Sequence, residues 1–398
     1  MQRSRLVLVV LGSFVGGCDL DGPEAVSGIE EEVGAEPVGH WVALGDDLSP
    51  GPSVYLSRPS LVAAPRVRPI VAFSSFDAST WLDTTVVSRW TPGAWAPLGV
   101  FDGSTPKLAL DGRERPLVCY GSGPFVKRWN GSSWVALGGD IATETGYRGV
   151  RYQVEGCQGM VVSSDDEPIV TWSADVGAKA NLVYVARWSR HDGRWIGLGE
   201  DAVGSRATDA AIAIDRQDRL VLATFTPGGS YGGGKTTRAF RWNGSTWTQL
   251  GADVPDTNEP TVAIHRNRIY LAYGVVEQGL PPKVEVLRWQ ANSWKPIAPA
   301  LSGDGPAIAF TPSGTMVLAY RTFEGIAGES ERQALRVVGL RGGGWFAVGA
   351  ELADVTLKLA WQAVAVDAAG RPTVAWREQD YETGVSGLFV RRFTDALP

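Results

Sequence analysis

Two arginines at matching positions near the end of the chain are the residues best suited to bind an anion. Arg321 and Arg377 each follow an aromatic residue that ends a short apolar segment, where the corresponding segments elsewhere continue with Ser or Gly. Paired guanidinium groups hold a carboxylate or another anion through parallel hydrogen bonds. The alternative is pairing with acids of the protein itself, which we favour because ion pairs at a protein rim are common. The candidate acids are Glu324, Glu329, Glu378 and Asp380.

Aromatic side chains in the longer predicted loops form a second set of candidate contacts. Long, dissimilar loops on a rigid scaffold are where recognition is usually found, and Trp and Tyr combine an apolar ring with a polar tip. The alternative is that each ring packs only against its own loop. The candidates are Trp81, Tyr147, Tyr152, Tyr231, Phe323 and Tyr381.

Catalytic, metal and cofactor chemistry finds little support in the sequence. His40, His191 and His265 fall in repeats that are not neighbours, so they cannot converge on one metal ion. The chain contains no H-E-x-x-H. We therefore predict no catalytic residue, metal or cofactor. Five acids follow the repeated segment that contains the second tryptophan of each pair described below. We expect them to hydrogen-bond to the backbone within turns rather than to bind calcium. They are Asp47, Asp140, Asp201, Asp253 and Glu351.

A repeat of paired tryptophans gives the elements that must position these residues. The pairs are Trp90 and Trp95, Trp129 and Trp134, Trp188 and Trp195, Trp242 and Trp247, and Trp289 and Trp294. Most pairs enclose four residues of turn chemistry, such as Asn130-Gly131-Ser132-Ser133, which predicts a hairpin with the two rings on adjacent strands. Two short apolar strands precede each hairpin. Each unit therefore has four strands, a to d, and recurs about every 40 to 60 residues, the period of propeller blades.

The two ends of the repeat region are complementary. His40 to Gly45 reads as a strand d without its strands a to c, and Phe389 to Phe393 reads as a strand c without its strand d. Joined, they complete a seventh blade and close the ring without an exposed edge. The prediction is an all-β, seven-bladed propeller of four antiparallel strands per blade. Its a–b and c–d connections are short and share one face, and its long b–c and d–a connections share the other.

This architecture resembles the kelch and galactose-oxidase-type propellers and the bacterial neuraminidase-type (BNR) repeat propellers. The resemblance covers residues 40–398, but the paired Gly of kelch blades is absent, and Asp192 is displaced by one place from the Asp-box of BNR repeats. It therefore implies the fold and transfers no activity. Because the histidines are dispersed, a copper site of the galactose-oxidase type is not expected.

The amino terminus predicts export. Residues 1–17 combine Arg3 and Arg5 with a short apolar segment, and Val15-Gly16-Gly17-Cys18 resembles a bacterial lipobox in which Cys18 carries lipid. The alternative is an ordinary secretory signal with a free Cys18. Residues 18–39 contain seven acids and no basic residue, and therefore read as a disordered tether. We expect a membrane partner, a bacterial cell-envelope location and, since no basic stripe occurs, no nucleic acid.

Function follows only as an expectation. The predicted protein is a monomeric, lipid-anchored binding module for a glycan or an envelope protein. One alternative is a sialidase-like or other hydrolase of acidic sugars built on Arg321, Arg377 and Tyr381, and another is a structural subunit of an envelope complex. Cys119 and Cys157 lie at strand ends on the same face, so a disulfide and two free thiols remain equal alternatives.

Overall fold

The computed structural model describes most of the chain after residue 38. The described residues are 39–49, 54–64, 67–77, 79–147, 152–175, 181–199, 203, 207–228, 235–277, 280–324, 332–355, 358–380 and 386–397. The predicted signal peptide and tether, with Cys18, lie outside them, as do Tyr231 and Tyr381. Within the described ranges, none of the helical structure has the length and apolar character needed to cross a bilayer.

The described residues form strands and one short helix. The first half contains β1 (Trp41–Ala43), β2 (Val54–Leu56), β3 (Ser60–Ala64), β4 (Val67–Asp77), β5 (Leu82–Thr91), β6 (Ala94–Asp102), β7 (Lys107–Leu110), β8 (Pro116–Tyr120), β9 (Phe125–Trp129), β10 (Trp134–Ala136), α1 (Ile141–Glu144), β11 (Tyr152–Val162), β12 (Pro168–Asp175), β13 (Asn181–Ser189) and β14 (Arg194–Gly197). The second half contains β15 (Asp209–Ile214), β16 (Leu220–Thr226), β17 (Thr236–Trp242), β18 (Trp247–Gln249), β19 (Val254–Pro255), β20 (Thr257–His265), β21 (Arg268–Val275), β22 (Lys283–Gln290), β23 (Ser293–Pro296), β24 (Leu301–Ser302), β25 (Asp304–Phe310), β26 (Met316–Glu324), β27 (Arg332–Arg341), β28 (Gly344–Ala347), β29 (Ala353–Val355), β30 (Lys358–Val366), β31 (Pro372–Gln379) and β32 (Ser386–Phe393).

These strands form seven antiparallel sheets, which are the predicted blades. Blades 1 to 6 run through β3–β6, β7–β10, β11–β14, β15–β18, β20–β23 and β25–β28, with β2, β19, β24 and β29 as short additional strands. Blade 7 combines β30, β31 and β32 with β1. Trp41 lies opposite Phe393 and Ala43 opposite Arg391, so the first strand pairs with the last. The predicted propeller and its closure by the terminal strands are confirmed.

The tryptophan pairs lie directly opposite each other on strands c and d, as the turn spacing predicted. Trp90 faces Trp95 and Trp129 faces Trp134 in the strand register, and the five ring pairs have centroid distances of 5.1–5.6 Å. In blade 7 the equivalent pair is Trp41 and Phe393, with centroids 5.2 Å apart. Such aromatic pairs add about 0.5–1.5 kcal/mol each beyond their buried area.

Each strand-d tryptophan also joins its blade to the preceding one. Its indole Nε1 donates a hydrogen bond to a backbone carbonyl at the end of the previous strand d. The bonds run from Trp95 to Leu44 (2.6 Å), Trp134 to Leu98 (3.0 Å), Trp195 to Leu137 (2.8 Å), Trp247 to Leu198 (2.8 Å), Trp294 to Leu250 (2.8 Å), Trp345 to Pro299 (2.8 Å) and Trp41 to Val348 (2.8 Å). Because each blade supplies one bond, they form a closed ring.

A glycine after strand d makes room for this bond. Gly251 and Gly349 have φ of +76° and +67°, and a Cβ would lie 3.1 Å from the Trp294 ring at Gly251 and 3.0 Å from Trp41 Nε1 at Gly349. Left-handed backbone without a Cβ is inexpensive only for Gly. The recurring Trp-x-x-Leu-Gly sequence is therefore one structural unit. Its Trp donates a hydrogen bond to the preceding blade, and its Gly leaves a socket for the tryptophan of the next blade.

The core lies between neighbouring sheets. The strand-b aromatics predicted from the repeat are all buried, namely Phe73, Tyr120, Trp172, Tyr273, Tyr320 and Trp376. Cys119 on β8 and Cys157 on β11 form a disulfide between blades 2 and 3, with their Cα atoms 6.1 Å apart. Packing, indole bonds and this covalent link all act across the blade junctions.

We expect Trp41→Phe to weaken the closure of the ring. The substitution keeps an aromatic ring beside Phe393 but removes the Nε1 donor and leaves the Val348 carbonyl without that partner. The free energy of unfolding should fall by about 1–3 kcal/mol in denaturant titrations. Trp81→Phe is the matched control, because that side chain is 79% exposed, and it should change stability by less than about 0.5 kcal/mol. Equal effects of the two substitutions would contradict a special role for the indole bond.

Candidate functional site

Arg321 is buried and held by acids that line the axis of the propeller. Its Nε donates to Asp304 Oδ1 at 2.8 Å, Nη2 lies 3.4 Å from both carboxylate oxygens of Glu259, and Nη1 donates to the Leu359 carbonyl of the next blade. Pairing therefore occurs, but the acids are Asp304 and Glu259 on strands a, and not the four acids that the sequence favoured. An incoming anion would have to displace these acceptors.

Arg377 is engaged in the same way one blade further on. Its Nη1 donates to the Leu56 carbonyl of blade 1 and its Nη2 to Gln379 Oε1. The guanidinium carbon also lies 4.7 Å from the centroid of the Trp361 ring. Arg321 and Arg377 thus each reach from their own blade to a backbone carbonyl of the next one, which explains why they replace the small residues found elsewhere.

The aromatic candidates separate into exposed and interior residues. Trp81 is the most exposed, with φ of +57° and its ring edge against Phe76 at 5.9 Å. Tyr147 points inward, packs against Tyr184 at 4.9 Å and donates its hydroxyl to the Gly199 carbonyl. Phe323 is half-buried on β26. The backbone of Tyr152 belongs to β11, but its side chain is outside the description.

The acids after strand d are bound by the protein where they are described. Asp47 accepts from the backbone of Ser49 and Leu388, and Asp140 accepts from Thr143 N at the start of α1. Asp253 and Glu351 pair instead with strand-c arginines, Arg238 and Arg336. The described residues contain no cluster of three or more His, Cys, Asp and Glu side chains arranged to hold a metal ion.

A bulge at the start of strand a directs side chains into the channel. In blades 3, 5, 6 and 7 the register of strand a slips against strand b, and each slip contains a residue in the left-handed region: Gly156 (+82°), Glu259 (+43°), Gly305 (+60°) and Trp361 (+51°). Bulges of this kind re-aim side chains. Glycine adopts this backbone freely, whereas a Glu or Trp there costs on the order of 1 kcal/mol or more. Strain retained at Glu259 and Trp361 points to a role for their side chains.

An arginine crosses the channel to reach one of these residues. Arg58 precedes β3 in blade 1, and its guanidinium lies 3.7 Å from Asp209 Oδ2 in blade 4 and 3.7 Å from Glu259 Oε2 in blade 5. In a ring of seven, blades 4 and 5 are the two that face blade 1. These distances are long for ion pairs, and the groups are partly solvated, so the contact is open to competition from a polar ligand.

Lys107, the first residue of β7, adds a cation to the same part of the channel. Burial lowers the pKa of its ammonium to about 8, and the charge of Arg58 acts in the same direction, whereas Asp209 opposes the shift. Burial also raises the pKa of Asp304, as does the nearby charge of Glu259, although Arg321 offsets part of the shift. The channel therefore holds charges that are incompletely compensated by their partners.

These groups surround a cavity of about 240 Å³ at the d–a end of the channel. Each of the seven blades contributes to its wall, and the polar and aromatic lining includes Arg58, Lys107, Gln158, Asp209, Glu259, Trp361 and Gln362. Carboxylates, amides and cations can satisfy neighbouring hydroxyl groups, and an indole can pack against an apolar ring face. Sequence analysis missed this site. Gly156 and Gly305 near the start of strands a were the available signal, because they mark the bulge.

A second and larger cavity of about 930 Å³ lies at the opposite end of the channel. The a–b turns of blades 2 to 6 form its wall. The sequence placed the aromatic candidate contacts in the longer loops and none in these short turns. Concave space at this end was not foreseen, because turn length says nothing about how far the turns stand from the axis.

Comparison with known proteins supports the fold. No family model and no curated protein matches the sequence. Solved structures that are similar include an ulvan lyase, described as a new family of polysaccharide lyase, with a TM-score of 0.54, 11% identity and coverage of 88% of this chain and 95% of that chain. The same lyase bound to GlcA(1-4)Rha3S gives a TM-score of 0.53 at 11% identity, with the same coverage. The β-propeller domain of the Trilobed protease from Pyrococcus furiosus gives 0.47 at 9% identity, covering 85% and 95%.

The class of protein is therefore settled by fold: the chain is an all-β, seven-bladed propeller. At these identities the likeness extends to architecture alone. The resemblance to kelch and BNR propellers likewise remains one of architecture.

We expect Lys107→Met to stabilise the protein at neutral pH. Since folding lowers the pKa of Lys107 from 10.5 to about 8, the charged form is disfavoured in the folded state, and its cost is fully present below pH 8. That cost is relieved as the pH rises from about 8 towards 10.5. The gain at pH 7 should be about 1–3 kcal/mol, towards the lower value because the residue is partly exposed.

Urea titrations at several pH values measure this effect, and Lys283→Met on the exposed start of β22 is the control. The stability difference between wild type and Lys107→Met should shrink at alkaline pH. A difference that is independent of pH would contradict burial of the charge as its cause.

Proposed function

We propose that the protein is an exported, lipid-anchored binding module that holds a glycan at the d–a end of its channel. The observation that carries the proposal is Trp361, a bulky residue kept in a left-handed conformation where two other blades use glycine. A side chain retained at such a cost is expected to contribute something that glycine cannot. For a residue in the wall of a polar cavity, that contribution is a surface for a ligand.

The surroundings of Trp361 support a sugar as this ligand. The Arg377 guanidinium covers one face of the indole, and Trp361 also lines the cavity, so its remaining ring surface is offered to a ligand. A sugar presents apolar C–H groups on one face and hydroxyl groups around its edge. An indole suits the first, and charged or amide side chains suit the second.

The charges in the channel support an uncharged or weakly charged sugar more than a strongly anionic one. Arg58 and Lys107 offer donors, while Asp209 and Glu259 offer acceptors, and Arg321 is already held by Glu259 and Asp304. Hydroxyl groups can donate to the carboxylates and accept from the cations without leaving either unpaired. A polyanion would instead be repelled by the carboxylates of Asp209 and Glu259.

A second candidate function is cleavage of an acidic polysaccharide. The lowered pKa of Lys107, about 8, is suited to a general base near neutral pH. The propellers of similar fold include an ulvan lyase, although the identity of 11% makes that likeness an analogy. Release of unsaturated uronate products from a panel of polysaccharides, and its loss in Lys107→Met, would favour the enzyme over the binding module.

Lipid at Cys18 supplies the membrane attachment in this proposal. The several acyl chains of a bacterial lipoprotein contribute about 0.8 kcal/mol per buried methylene, which is enough for stable anchoring. We expect the full chain, expressed in a bacterial host with labelled palmitate, to take up the label and to fractionate with membranes. Cys18→Ala should abolish both, while Cys119→Ala combined with Cys157→Ala should leave both intact. Unchanged labelling in Cys18→Ala would refute the anchor.

Binding of the detergent-solubilised full chain to an immobilised glycan array tests the channel site. Trp361→Gly should lower the affinity for the most tightly bound glycan by about tenfold or more because it removes the ring surface. The same variant should change the free energy of unfolding by less than about 1 kcal/mol, since glycine fits the left-handed backbone.

Trp81→Gly is the matched control for this experiment. It also removes a tryptophan from a left-handed position (φ +57°), but at an exposed site outside the channel wall. We expect it to bind as wild type does. If Trp81→Gly abolished binding and Trp361→Gly did not, the long loops rather than the channel would be the ligand site. If no glycan bound, the proposal would fail.

A further inference from the structure

The cavity at the short-turn end of the channel has an aliphatic floor. Strands a of blades 2 to 5 end there, and each contributes a half-buried aliphatic side chain near its last position, namely Leu110, Val162, Ile214 and Ile264. The equivalent interior positions of these sheets are covered by neighbouring blades. At the floor, apolar surface faces the open cavity, where it favours an apolar group of a ligand.

The acids around this floor are held by partners within the protein. Asp111 is buried and pairs with Arg115 at 2.8 Å, and Asp215 pairs with Arg219. Asp218 accepts from both the backbone N and the hydroxyl of Ser164 in the preceding blade. Asp111 and Asp215 are therefore neutralised by their arginines, whereas Asp218 keeps its charge and is outnumbered by the two arginines of the rim.

The cations of the rim are not neutralised in this way. Arg266 donates to the carbonyls of Pro312 (3.2 Å) and Ser313 (2.9 Å), which hold the guanidinium in place without cancelling its charge. Arg216 in the adjacent turn is exposed and has no acidic partner among the described residues. Both line the cavity, and in a chain of net charge −6 they make this end locally positive.

The pKa of His265 reflects the positive charge of the same arginines. This histidine is the last residue of β20, next to Arg266, stacks on Phe310 of blade 6 with ring centroids 4.5 Å apart, and also lines the cavity. Burial lowers the pKa of His265, and the charges of Arg266, Arg216 and Arg268 lower it further. The imidazole is therefore neutral near pH 7 and adds no opposing charge.

We infer that this cavity binds a peptide segment of a partner protein in which a carboxylate stands beside an aliphatic side chain. The carboxylate would lie on Arg216 and Arg266 at the rim, and the aliphatic group on the floor formed by Ile214 and Ile264. A volume of about 930 Å³ is at the upper end of the range for ligand pockets and accommodates a short segment. The aliphatic floor offers no aromatic surface for a sugar, unlike the opposite end with Trp361.

Fluorescence polarisation with the full chain in mild detergent tests this inference. The probes are labelled octapeptides that alternate Glu with Leu, a matched set with Gln in place of Glu, and a set with Ser in place of Leu. We expect binding only of the acidic and aliphatic peptides, with an affinity that falls as salt is added. Arg216→Gln should weaken it by about tenfold, the loss expected for one charge-assisted hydrogen bond.

Two control variants identify the site. Arg113→Gln removes an exposed arginine of the blade 2 turn that does not line the cavity, and it should bind as wild type does. Ile214→Thr, at the floor, should weaken binding even though charge is unchanged. Trp361→Gly should leave peptide binding intact, so failure here and failure of the glycan site are distinguishable.

Three results would overturn the inference. They are absence of binding by every peptide, equal loss in Arg113→Gln and Arg216→Gln, and equal binding of the Leu and Ser peptides. The last result would mean that the rim attracts any polyanion and that the floor has no part in recognition.

Discussion

The ring of seven indole hydrogen bonds is the interaction on which the rest of this structure depends. A closed ring tolerates no accumulated error, because a small change of angle at each junction would leave the last blade unable to meet the first. The strand-d tryptophan fixes that angle at every junction with the same donor, the same backbone acceptor and, at most junctions, a glycine socket. Trp41 and Phe393 then close the sheet that the two chain ends share.

This arrangement leaves the inner strands free to carry unlike residues. Burial between the sheets supplies most of the stabilisation, and strands c and d supply the uniform contacts between blades. The residues at or just before the start of strand a include several whose side chains line the channel and take no part in the ring of indole bonds. Residues as different as Arg58, Lys107, Glu259 and Trp361 therefore occur there, and the fold absorbs the buried ammonium of Lys107 and the strained backbone of Trp361. Destabilising features of this kind are expected where a protein binds a ligand.

The sequence predicted the parts of the fold that depend on local spacing. A turn of four residues places Trp129 opposite Trp134, and a lone strand c at one terminus requires a lone strand d at the other. Local spacing could not predict the partners of Arg321 and Arg377, because each guanidinium donates to a backbone carbonyl of the following blade. The channel site was missed for a related reason. Its residues come from positions in seven different blades, about fifty residues apart along the chain. The sequence also gives no sign of a left-handed φ when the residue is Glu or Trp.

The two ends of the channel are built from the same strands but have different chemistry. Strand β15 begins at Asp209, which faces Arg58, and ends at Ile214 in the aliphatic floor, and β20 runs in the same way from Glu259 to Ile264. From Asp209 to Ile214 the register of β15 with β16 is unbroken, and beyond the bulge at Glu259 the register of β20 with β21 is unbroken from Thr261 to His265. Coupling between two sites requires an element with two alternative arrangements, and a continuous ladder packed between blades offers none. A ligand that displaced Arg58 would therefore change the charges around it without moving the turns that carry Arg216 and Arg266, so we expect the two proposed sites to act independently.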